Sequence, residues 1–118
     1  KLTELSTFPA NDYTDDGQLL GHIMIGAMEV QKHIDQIEGF PKRTASELIH
    51  CILAHHGELE YGSPKKPALA EAIALSFADN SDAKLETMRE ALSNIPENSL
   101  EWQGFNRFLD SNIRRTSK

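Results

Sequence analysis

At 118 residues the chain is long enough for one domain with a modest core and too short for two. Eighteen acidic residues against twelve basic give a net charge of -6, which argues against a domain that grips nucleic acid by bulk electrostatics, because that takes clustered Lys and Arg. The lone cysteine, Cys51, excludes an internal disulfide and thiolate clusters for zinc or iron–sulfur, and no apolar run approaches the ~18 residues that span a bilayer. With no membrane partner indicated and no charged-then-apolar signal pattern at the opening residues, a soluble protein of the reducing cytoplasm is expected.

The segment "PANDYTDDG" is turn-rich, and "QLLGHIMIGAMEVQKHIDQIE" follows it. There Leu20, Ile23, Met24, Ala27, Val30, Ile34 and Ile37 recur at spacings of three and four, which predicts an amphipathic helix from Gln18 to about Glu38, closed by Gly39 and Pro41. A second helix is expected to open at Thr44. "TASE" has the form of a capping box, in which the Thr44 hydroxyl meets the third helical N–H and Glu47 reaches back. Its stripe of Ala45, Leu48, Ile49, Ile52 and Leu53 runs into His55, His56 and Gly57.

The stretch "GELEYGSPKKP" holds two Gly and two Pro in eleven residues and predicts a loop without regular structure. Pro67 suits the first turn of a third helix, expected from about Ala68 to Asn94, where Pro96 stops it. Ala68, Ala72, Leu75 and Asp79 share a face of that helix, with Leu85, Met88 and Leu92 continuing further on, so an acid stands where a hydrophobe is expected. In the tail, Trp102, Phe105, Phe108 and Leu109 have helical spacing, which predicts a short final helix capped by Asn98 or Ser99 with its aromatics packed inward. The expected class is all-α.

Three polar features interrupt buried stripes: His22, the His55-His56 pair and Asp79. A buried carboxylate needs a partner, and a metal ion would satisfy the acid and the imidazoles together. Imidazole with carboxylate is the donor mixture of hydrolytic Mn, Zn or Fe sites, and helical cores are a recurrent place to build them. Each residue also has a plainer reading. His56 as an imidazolium at a helix C-terminus would gain about 0.3–1 kcal/mol from the dipole, and Asp79 would pair with a Lys or Arg. His33, among polar neighbours, reads as solvated, and His50 as facing solvent or bonded to a carbonyl.

"YTDDGQLLGHI", "ILAHHGELEYGSPKKP" and "EAIALSFADNSDAK" together resemble the second part of the HD phosphohydrolase domain of the YhaM-type 3′-to-5′ exoribonucleases, also described as CMP-binding factor. The likeness runs from residue 13 to 84, and "FNRFLD" resembles the end of those proteins. "HHG" followed by "E-x-G-S-P-x-x-P" and then "D-x-x-D-A-K" is its most specific part. The resemblance implies an HD-domain-like helical bundle in which His22, His55, His56 and Asp79 are metal ligands. The metal implied is divalent, Mn2+ first, with Mg2+, Co2+, Fe2+ or Zn2+ as alternatives, and two ions about 3.5–4 Å apart in the intact domain. Lys84 is then the candidate phosphate contact, and Tyr61 and Ser63 shape the mouth of the pocket.

No His-Asp dipeptide occurs in the chain, and "KLTEL" resembles the residues that follow that dipeptide in the family. The resemblance therefore implies a C-terminal part of the HD domain, its missing ligands and an OB-type domain lying upstream, and no turnover by these residues alone. The implied activity is release of 5′-nucleotides from single-stranded RNA or DNA. A phosphohydrolase acting on mononucleotides or cyclic nucleotides is the alternative, and a non-catalytic helical module binding DNA or a partner is the second. Apolar surface left uncovered by such a division would favour homo-oligomers.

Overall fold

The computed structural model describes residues 14–117. These contain three helices, α1 (Asp15–Asp35), α2 (Lys42–Ala54) and α3 (Ala70–Leu92), a 3-10 turn at Leu59–Tyr61, and a hairpin of β1 (Phe105–Asn106) and β2 (Ser111–Asn112). Among the described residues the class is all-α apart from that hairpin, as expected. The chain forms two compact units, the first ending at Phe77 and the second beginning at Ala78, so the first turns of α3 belong to one and the rest to the other.

In the first unit, Thr14 caps α1: its Oγ1 accepts the Gly17 N–H at 3.0 Å, and Asp15 and Asp16 complement the positive end of the helix dipole. The helix is not the continuous rod that its periodicity predicts. Gly21 has φ 71° and ψ 161°, and breaks it into two segments immediately before His22. An added Cβ at Gly21 would meet nothing within 4 Å, so backbone conformation alone, which an L side chain rarely adopts, asks for glycine there. Further along, Gly26 lies against α2, where a Cβ would stand 3.6 Å from Ile52 Cγ2. Ala27, Ile34 and Ala54 are buried in this pair, whereas Met24 and Ile37 remain half exposed.

The capping box at Thr44 does not form. Pro41, with φ -64° and ψ 126°, is the N-cap, and its carbonyl accepts the Ala45 N–H at 2.9 Å. Proline has no N–H to lose at a helix start and its ring presets the backbone, so the helix begins at Lys42 and Thr44 falls inside its first turn. The loop after α2 carries the 3-10 turn, closed by Gly62 at φ 86°. The third helix starts two residues later than expected and ends two earlier. Ala72 on it is fully buried.

The second unit overturns two expectations. Asp79 is exposed, so the argument that a buried carboxylate there must find a counter-charge does not apply. The final helix is absent among the described residues: Phe105 pairs with Asn112 and Asn106 with Ser111, antiparallel. Gly104 at φ 94° and Asp110 at φ 53° hold conformations no α-helix contains, and they override the three-and-four spacing of the aromatics. Trp102, Phe105 and Phe108 are 64%, 66% and 56% exposed instead of packed. Arg115 secures the hairpin's far strand to the end of α3, donating to the carbonyls of Leu92 at 2.6 Å and Ile95 at 2.8 Å.

Candidate metal centre

His22 stands just past the break in α1, and His55 and His56 stand at the end of α2. In an uninterrupted helix, adjacent side chains diverge by about 100°. Here the helix stops, with His55 as C-cap and the Gly57 N–H bonded to the Ala54 carbonyl at 2.9 Å, and the two rings lie 4.4 Å apart. Gly57 makes that exit possible for two reasons. Its φ is +81°, and a Cβ there would sit 2.5 Å from the Ser76 hydroxyl on α3.

The three histidines, all half-buried, each offer one ring nitrogen within 4.8 Å of the others, and form the group able to hold a metal ion among the described residues. Their tautomers follow from their partners. His55 Nδ1 lies 2.5 Å from the Ile52 carbonyl and His56 Nδ1 lies 2.9 Å from the Tyr61 carbonyl, so both nitrogens are the N–H donors. In the neutral rings both Nε2 atoms therefore carry lone pairs. This is the arrangement by which backbone carbonyls fix ligand histidines in metal sites.

His22 Nε2 and His56 Nε2 are 3.0 Å apart. In the absence of a cation the His22 N–H donates to the His56 lone pair. With ligand bonds of about 2.1 Å, that spacing also suits two neighbouring vertices of one ion. The donor set thus fits a divalent cation of the borderline type that accepts imidazole.

The other residues singled out in the sequence have these places. Tyr61 is 68% exposed, and its contribution to the histidines is its main-chain carbonyl. Ser63 is 3% exposed, and its single hydroxyl hydrogen is shared between the carbonyls of Leu53, at 2.8 Å, and Lys65, at 2.6 Å. It ties down the loop that delivers the Tyr61 carbonyl, and sequence reading had no signal for that. Beside it, though not singled out in the sequence, Lys66 pairs with Glu58 at 3.0 Å on the surface. His50 accepts the Ala68 N–H at 2.9 Å, a structural bond of the opposite polarity to the one expected, and His33 pairs with Glu29 in solvent. Asp79 and Lys84, both exposed, belong to the second unit.

The chain is 41% identical over 95 residues to 3'-5' exoribonuclease YhaM of Bacillus subtilis (strain 168). It is similar to YhaM exoribonucleases. The proteins of the same name from Bacillus pumilus and Bacillus licheniformis match over the same length at 40% and 41% identity. In each case 80% of the chain is aligned, and the chain spans 30% of the length of these relatives. No family model matches, and no solved structure matches. No helix among the described residues is long and apolar enough to cross a membrane.

Proposed function

We propose that these residues form part of a metal-dependent 3′-to-5′ exoribonuclease acting on single-stranded RNA in the cytoplasm. The observation that carries the proposal is the convergence of His22, His55 and His56 with the Nδ1–H groups of the last two taken up by carbonyls. The similarity to YhaM exoribonucleases supports the same reading.

In this reading His22, His55 and His56 hold a divalent cation, Mn2+ first among the candidates. Bound there, the ion would polarise a phosphodiester and lower the pKa of a bound water. His55 and His56 present Nε2 in a fixed direction because their far nitrogens are anchored to Ile52 and Tyr61, which limits the reorganisation needed on loading. Ser63 keeps the anchoring loop in place. Asp79 as a further ligand, Lys84 as a phosphate contact and Tyr61 at the mouth rest on the family resemblance. A second ion in the intact domain has the same footing.

Titration calorimetry with Mn2+ or Co2+ tests the centre directly. His56→Ala is expected to weaken binding at least about tenfold, and His33→Ala to leave it unchanged. In a protein of the relatives' length, His55→Ala or His56→Ala is expected to abolish stepwise shortening of a 5′-labelled single-stranded RNA from its 3′ end. Retained shortening would remove the histidines from the mechanism.

A further inference from the structure

Between residues 101 and 115 the sequence holds Trp102, Phe105, Phe108 and three arginines against two acids, Glu101 and Asp110, in a chain whose net charge is -6, and two of the arginines, Arg107 and Arg114, are exposed. Burial alternates along the far strand: Ile113 is 5% exposed and Arg115 is half-buried, while Asn112 and Arg114 face out. Across the hairpin Phe105 is the partner of Asn112, which places its ring on that outward face. The Arg114 guanidinium lies 5.4 Å from the centre of the Trp102 ring. Pairing extends past the strands through the Gln103 N–H to the Ile113 carbonyl at 2.9 Å.

A two-residue hairpin is marginal by itself. This one is held from beneath by Ile113 and by the bonds from Arg115 to the end of α3, so the rings above it are presented on a braced surface. Exposed aromatic rings with the Arg114 guanidinium set against one of them suit a ligand that is flat, π-rich and anionic. Single-stranded nucleic acid is such a ligand, with bases to stack and phosphates to neutralise. A second copy of the chain is a poorer occupant, because a two-fold contact of this patch with itself would bring Arg114 towards its own counterpart.

We propose that the outward face of this hairpin, centred on Trp102, Phe105 and Arg114, is a stacking platform for single-stranded RNA. The identity of the ligand rests on the nuclease reading above; the presence of a platform does not.

Trp102 is the only tryptophan in the chain, so its emission reports on this surface alone. Titration of the chain with a single-stranded 12-mer oligoadenylate, with EDTA present to prevent hydrolysis, is expected to give saturable quenching that weakens with salt. Phe105→Ala should weaken binding about 5- to 100-fold. Arg114→Gln should flatten the slope of log K against log salt by about 0.7. Both residues are exposed, and far-UV dichroism of each variant checks that the fold is kept. No quenching by the oligonucleotide overturns the proposal, as does a Trp102 emission that changes with protein concentration alone, the mark of a second copy on the patch. Quenching without 3′ hydrolysis in the longer protein would defeat the nuclease reading and leave the platform. Hydrolysis without quenching would do the reverse.

Discussion

Gly57→Ala probes the hinge on which the histidine pair turns. At φ +81° an alanine costs about 1–2 kcal/mol in backbone energy alone. Its methyl would also stand 2.5 Å from Ser76 Oγ, and the hydroxyl would have to retreat to ordinary contact at 3.4 Å or beyond. That hydroxyl is the free end of a rotatable side chain, so turning it away about χ1 costs only about 0.5–1.5 kcal/mol. The sum, about 1.5–3.5 kcal/mol, is a sizeable share of the stability of a small domain. The two parts are separable. In a Ser76→Ala background the offending oxygen is gone and the nearest remaining atom, Ser76 Cβ, is at a comfortable 3.8 Å, so only the backbone part should survive. Urea unfolding followed by far-UV dichroism on the four members of this cycle should give a coupling of about 0.5–1.5 kcal/mol with unchanged m-values. Mn2+ affinity should fall with Gly57→Ala and recover in part with Ser76→Ala, because the backbone that distorts is the one leaving His56. A Gly57→Ala variant within about 0.5 kcal/mol of the parent, or a loss identical in both backgrounds, would refute the reasoning.

Ser63→Ala removes a buried hydroxyl from two carbonyls and is expected to cost about 1–2 kcal/mol in urea unfolding, with Mn2+ binding weakened as the loop carrying the Tyr61 carbonyl loosens. Arg115→Met strips the carbonyls of Leu92 and Ile95 of a charged donor and should cost about 1.5–3 kcal/mol, read as faster amide exchange over residues 88–95 and in the hairpin. On α3, the hydrogen bond from Arg89 holds the Glu86 carboxyl below its ordinary pKa. Since the folded value is the lower one, the stabilisation is present above the unfolded pKa and lost as pH falls through the folded one. A carboxyl-carbon NMR titration should show the depressed midpoint, and Arg89→Ala should return it to the usual carboxylate range.

Local pattern carried the helices. The three-and-four spacing from Leu20 to Ile34, from Ala45 to Leu53 and along α3 placed each within a few residues, because a helix side is written in neighbours along the chain. The histidine pair before a glycine was likewise visible, and so was its place at a helix end. Two local signals failed for physical reasons. The Thr44 box lost to Pro41, whose ring preorganises an earlier start, and the tail's aromatic spacing lost to Gly104 and Asp110, whose backbone angles no helix accepts. The signal for the second was present in the turn-forming residues Gly104, Asn106, Asp110 and Asn112.

What only the tertiary structure decided lies in contacts between residues far apart along the chain. His22 meets His56 across 34 positions because α1 breaks at Gly21 and packs against α2. The carbonyls of Ile52 and Tyr61 choose which imidazole nitrogen keeps a lone pair, and no pattern of side chains encodes a main-chain partner. Nor does spacing reveal that Asp79 faces solvent while Ser63 is buried. By itself the sequence determined which side chains could serve a metal and which segments would be helical, since both depend on residue type and local period. The direction in which each donor points is set by where the helices stop and what their ends touch, and that is a property of the fold.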